Sequence, residues 1–156
     1  MADRTKPIVK GEAAPDFTLR DQDGKQFKLS DYQGKRVLLS FHPLAWTDFC
    51  TLQMLSIEVN YDNFAKLNTV PVGLSIDSLP TKKAWADDMK LKQLKILSDF
   101  WPTGAVAKSC GLFRDKHGTA ERANVIIDEK GKVVWVKVYE ILYLPDVNEV
   151  LAVLKK

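Results

Sequence analysis

Two cysteines, two histidines and no long apolar run set the first bounds on this 156-residue chain. Two cysteines cannot build the disulfide scaffold on which small secreted folds depend. They form no Cys-x-x-Cys, and the histidines form no His-x-x-x-His, so no metal site, zinc included, and no cofactor is expected. No apolar stretch approaches the roughly 18 residues needed to cross a bilayer, so no membrane partner is expected. Residues 1–10 are polar and charged, without the apolar segment of a secretory leader, and a reducing cytoplasm is the expected compartment. The formal charge is only +3. Lysines such as Lys82, Lys83, Lys90, Lys92 and Lys95 are scattered and mixed with acids, which describes a solvated surface rather than a nucleic-acid patch. Internal repeats and linkers are also missing, so residues 1–156 are expected to form one domain, with 1–10 as a flexible arm.

An apolar content of 46% is ample for a core at this length. Phe17 and Leu19, then Phe27 and Leu29, flank the polar Asp21-Gln22-Asp23-Gly24-Lys25 and predict a hairpin. Arg36 to Phe41 is a short continuous apolar run, suited to a buried parallel strand that Pro43 ends. A helix is expected from Thr47 to about Leu67, a second apolar strand over 70–76 and a short helix over 79–89 with Pro80 near its start. Gly104 to Cys110 predicts another short helix, stopped by Gly111. The runs 123–127 and 133–138, joined by Asp128-Glu129-Lys130-Gly131-Lys132, predict a second hairpin, and 145–154 a closing amphipathic helix. This order predicts an α/β sandwich, with a mixed central β-sheet flanked by helices, parallel at first and antiparallel at its end. Thioredoxin-like folds have that order, which by itself names no function.

Chemistry concentrates in the segment from Ser40 to Gln53. Cys50 lies in the first turn of a helix that follows a buried strand. Unpaired N–H groups and the positive end of the helix dipole favour an anion there, and the thiolate is the nucleophilic form of cysteine. Thr47 is placed to cap the turn and to point its hydroxyl back at the sulfur. Pro43 sets a rigid ring over the mouth of the site. Because threonine rather than cysteine stands at 47, Cys50 cannot close a local disulfide, and disulfide exchange is not expected.

Pro43-x-x-x-Thr47-x-x-Cys50 resembles the signature of the peroxiredoxins, the AhpC/TSA proteins. The resemblance extends through Ala14-Pro15-Asp16-Phe17, Leu29 to Lys35, Ser98-Asp99 and the strand Arg122-Ala123-Asn124-Val125-Ile126-Ile127-Asp128. It implies a thioredoxin-like fold and a thiol peroxidase that reduces hydrogen peroxide and organic hydroperoxides through a sulfenic acid on Cys50. In that likeness Cys50 attacks the peroxide, and Arg122 holds the thiolate and the oxyanion developing on the leaving group. Thr47 orients the peroxide, and Pro43 shields the sulfur from water. Gln53 stands where glutamate is common, supporting the arginine with less charge pairing. The likeness further implies a thioredoxin, glutaredoxin or similar small thiol protein as reductant, and a homodimer formed through loops around the site.

Other readings stand beside these. Cys50 oxidation could serve a peroxide sensor or a redox-regulated holdase, with turnover incidental. Cys110 is either a resolving cysteine or a packing residue, and a one-cysteine mechanism with an external thiol is the preferred of the two. His42, before a proline, is expected to pack or bond locally rather than act as a base, and His117 to be solvated. Leu44, Ala45, Trp46 and Phe49 are expected to give the peroxide pocket an apolar wall, and the four tryptophans to serve as core or dimer-contact residues.

Overall fold

The polar turn over 21–25 folds back on itself because the Asp21 carboxylate accepts the N–H groups of Asp23 and Lys25. It joins β1 (Thr18–Arg20) to β2 (Gln26–Lys28), the outer hairpin of a sheet seen in a computed structural model that describes residues 4–156. A 3-10 turn over Leu29–Tyr32 leads into β3 (Arg36–Phe41). Helix α1 (Asp48–Val59), helix α2 (Tyr61–Lys66), β4 (Thr69–Ser75) and α3 (Leu79–Met89) follow. Then come β5 (Lys95–Ser98), α4 (Ala105–Ser109) and the small hairpin β6 (Phe113–Arg114) and β7 (Thr119–Ala120). The chain closes with β8 (Arg122–Ile127), β9 (Val133–Tyr139) and α5 (Val147–Leu154).

Seven strands form one sheet in the order β2-β1-β5-β4-β3-β8-β9. Its centre, β3, β4 and β5, is parallel, and both flanks are antiparallel. This is the expected thioredoxin-like α/β sandwich, except that antiparallel pairing occurs at both edges rather than one. Strand side chains alternate between faces, and β3 shows the consequence. Val37, Leu39 and Phe41 enter one core with Phe17, Phe27, Leu74, Cys110 and Val125. Leu38 enters the other with Cys50, Met54, Ile57, Trp85, Ile96 and Val150.

Three expectations are corrected here. The helix expected over 47–67 breaks at Asn60, whose side-chain amide donates to the Ser56 carbonyl at 2.8 Å. That local bond competes with helix continuation. A strand was missing from the expected order at β5, whose four residues are too few to show alternation and follow the charged Lys90-Leu91-Lys92. Gln22 steadies its start by accepting from Ile96 N–H and donating to the Leu94 carbonyl, both at 2.9 Å. The described part of the 1–10 arm is packed rather than free: Ile8 is 1% exposed and its N–H donates to the Cys110 carbonyl at 2.9 Å. Arg4 donates its N–H to Lys108 and forms an ion pair with Glu12. Residues 1–3 lie outside the described residues.

Candidate active site

The site forms where β3 ends, because three separate parts of the chain meet there. Beyond Phe41 the chain passes through His42 and Pro43, both buried, and enters α1 at Thr47. Strand β8 runs antiparallel to β3, with Ala123 opposite Phe41, which brings Arg122 level with the end of β3. Cys50 is wholly buried in the first turn of α1. Arg122 reaches it with Nη1 3.5 Å from Sγ.

Arg122 is held from two sides. Its Nε donates to the Ile141 carbonyl at 2.9 Å, and Nη1 donates to Gln53 Oε1 at 2.7 Å. Gln53 is itself fixed, donating to Ser40 Oγ at 2.7 Å and to the Phe41 carbonyl at 3.2 Å. No carboxylate forms an ion pair with Arg122 among the described residues. A neutral amide therefore orients the guanidinium without cancelling its charge, and in a water-poor setting that charge acts strongly on an adjacent anion.

Thr47 departs from expectation. It occupies the N-cap position of α1 but makes no side-chain cap bond; its hydroxyl donates to the Leu44 carbonyl at 2.9 Å. With its proton so committed, the hydroxyl oxygen retains acceptor capacity. Thr47, Pro43 and Arg122 line one groove of about 490 Å³, together with Leu44, Phe49 and Leu142. The apolar wall thus draws on the segment after β9. Trp46 and Ala45 take no part in that wall: Ala45 is buried elsewhere and Trp46, at φ +72°, is half exposed. His117, although exposed, belongs to the groove's lining with Arg114.

His42 does pack locally, as expected, but its partner was not foreseen. Lys82, placed on the solvated surface by the sequence reading, is completely buried on α3, with Nζ 3.2 Å from His42 Nε2. Burial drives the Lys82 ammonium down to about 7, opposed by the nearby Asp77, Cys50 and Asp99. Burial, then the charge on Lys82, holds His42 well below the ordinary histidine range. A lysine four residues into a helix among Lys83, Asp87 and Asp88 gives no sign of this; only its spacing of three from Trp85 hints at a buried face. Cys110 lies in the opposite core, with the sheet between it and Cys50. Burial pushes its thiol up to about 11.

Among the described residues no helix is long and apolar enough to cross a membrane, and no cluster of His, Cys, Asp and Glu could hold a metal. Residues 10–136 match the model of the AhpC/TSA family. Alkyl hydroperoxide reductase E of Mycobacterium tuberculosis is 38% identical over 122 residues, covering 78% of this chain and 79% of that protein. Peroxiredoxin Bcp of Escherichia coli is 34% identical over 133 residues, covering 81% and 83%. Among solved structures, the reduced 2-Cys peroxiredoxin of Plasmodium vivax superposes with a TM-score of 0.87 at 28% identity, over 96% of this chain and 81% of that one.

Proposed function

This chain belongs to the AhpC/TSA family and is a thiol-dependent peroxidase, and from that premise we propose how its residues divide the work. Cys50 is the attacking thiolate: its sulfur forms a bond to one peroxide oxygen, the O–O bond breaks, and the other oxygen leaves as water or an alcohol after taking a proton. Cys50 is left as a sulfenic acid. Arg122 stabilises the thiolate and the growing oxyanion, with Gln53 and the Ile141 carbonyl fixing its plane. Thr47 presents its oxygen to the peroxide O–H, and Pro43 keeps water from the sulfur. The observation that carries this reading is a guanidinium that lines the groove and, with no carboxylate paired to it among the described residues, lies 3.5 Å from the buried Cys50 sulfur.

Substrates are hydrogen peroxide and organic hydroperoxides, with the apolar Leu44, Phe49 and Leu142 favouring an organic chain. The sulfenic acid is resolved by an external thiol: its sulfur displaces the hydroxyl as water, and a second thiol of the reductant then releases Cys50. Cys110, buried across the sheet, supports that choice over an internal disulfide. The reductant is a thioredoxin, glutaredoxin or similar small thiol protein, in a reducing compartment such as the cytoplasm. Exposed Leu44 and Trp46, in the loop leading to Cys50, suit a homodimer contact around the site.

Mass spectrometry after one equivalent of peroxide tests this scheme. Dimedone should trap Cys50 while Cys110, once the protein is unfolded, still alkylates. A peptide linking Cys50 to Cys110 would overturn external resolution. Turnover retained in Cys50→Ser would overturn the role of Cys50 itself, because an alcohol is far less acidic than a thiol.

A further inference from the structure

Lys82 is the one charged side chain among the largest fully buried residues, and the scheme above gives it nothing to do. Its ammonium forms no ion pair among the described residues. Its hydrogen-bond partner is the His42 imidazole at 3.2 Å, and the Trp85 ring lies 5.5 Å away. His42 Nδ1 lies 3.3 Å from the Ser40 carbonyl, so Nδ1 carries the proton and Nε2 offers its lone pair to Lys82. Methionine would fill the same volume without the desolvation cost of a cation, so packing alone does not account for a lysine.

What surrounds the pair is the base of the Cys50 turn. His42 is bonded directly to Pro43, which lines the groove with Arg122. Its ring packs on Trp85 at 5.4 Å, and Trp85 Nε1 donates to Thr51 Oγ1 at 3.2 Å. Thr51 Oγ1 in turn donates to the Thr47 carbonyl at 2.8 Å. Trp85 and Cys50 share one apolar cluster.

We propose that Lys82, seated on His42, is a positioning residue for peroxide reduction: a second cation, besides Arg122, that supports the Cys50 thiolate from helix α3. The proposal rests on the reading of Cys50 as the attacking thiolate. The charged groups facing the pair come from every neighbouring element. Cys50 acts on Lys82 from α1, Asp77 from the segment after β4, and Asp99 from the segment after β5. Arg122 acts on His42 from β8. The two carboxylates are engaged by other donors, Asp77 by Ala45 N–H and Asp99 by the N–H groups of Val106 and Ala107. Lys82 Nζ lies over the Trp85 ring, and Trp85 shares a buried apolar cluster with Cys50, so a cation held there acts on a thiolate through a medium that screens it little. With its midpoint brought to about 7, Lys82 is charged below neutrality and loses its proton above it.

That midpoint supplies a test which a purely structural lysine would fail. The rate of oxidation of the reduced protein by hydrogen peroxide is measured by stopped-flow fluorescence from pH 5.5 to 9, in wild type and Lys82→Met. At pH 6 the variant should be slower by roughly tenfold, the factor that about 1.4 kcal/mol of transition-state stabilisation is worth. The gap should close through neutrality and fall to about twofold or less at pH 9, where the wild-type lysine has become neutral. A ratio that stays the same at every pH, whether one or ten, overturns the proposal. A second measurement needs no Lys82 variant: NMR titration of 13C-labelled lysine in reduced wild type and in Cys50→Ser. The Lys82 midpoint should fall when the sulfur is removed, and equal midpoints refute the coupling. Cys50→Ser that still turns over would instead refute the reading of Cys50 beneath it.

Discussion

Replacing Arg122 by lysine keeps the positive charge and removes the fork. The guanidinium spends Nε on the Ile141 carbonyl at 2.9 Å and Nη1 on both Gln53 Oε1, at 2.7 Å, and Cys50 Sγ, at 3.5 Å. A lysine has one nitrogen at the end of a flexible stem and cannot hold those groups in one plane. Hydrogen bonds from charged donors contribute about 1.5–3 kcal/mol each. If one such bond serves only the transition state, its loss slows oxidation by roughly tenfold to a hundredfold. Stability should fall as well, since leaving either Gln53 Oε1 or the Ile141 carbonyl unpaired costs about 1–3 kcal/mol. Stopped-flow oxidation under single-turnover conditions measures the first effect, and thermal melting followed by circular dichroism the second. A variant that oxidises within about twofold of wild type, with its fold intact, would remove Arg122 from the chemistry. Lower stability with an unchanged rate would give it a structural role alone.

Lys82 should also mark the pH dependence of stability. Its folded value of about 7 lies below the ordinary 10.5, so between those values the unfolded chain binds more protons and stability rises with pH. The burial cost is fully present below about 7 and is relieved above it. Wild type should therefore gain about 2 kcal/mol relative to Lys82→Met's own change between pH 7 and 9, read from denaturant midpoints; parallel curves for the two proteins would contradict the buried cation. Gly73→Ala should destabilise by about 1–3 kcal/mol, because a Cβ there would meet Met54 Sδ at 2.4 Å and crowd His42 Cε1 and Ile96 Cγ2 at 3.2 Å. An unchanged denaturant midpoint would show that Met54 moves aside freely.

Much of the molecule was legible along the chain because its information is local. Turn residues around Gly24 and Gly131, the apolar run over 36–41 and the start of α3 at Leu79-Pro80 each act within a few residues, and the expected elements stand close to where they were placed. The Pro43, Thr47 and Cys50 spacing, with Arg122 heading a later apolar strand, pointed to one chemistry, and the family match agrees. Most of what failed had a partner far away in sequence. Helix α1 stops because of Asn60's own side chain, but β5 is a strand only beside β4 and β1, and residues 4–10 are held by the end of α4 and by Glu12.

The sequence alone determined the fold class, the reacting cysteine as a candidate and the type of residue set around it, since each depends on local pattern or on a spaced motif. Only the tertiary structure decided which charges are met and which are not. Arg122 turns out to be oriented by an amide and, among the described residues, left unpaired with acid, and Lys82, among surface-type neighbours, is buried on His42. Cys110 is set apart from Cys50 by a sheet. Solvation and Coulomb energy depend on distance and burial in three dimensions, and neither quantity is written into the order of residues on a helix.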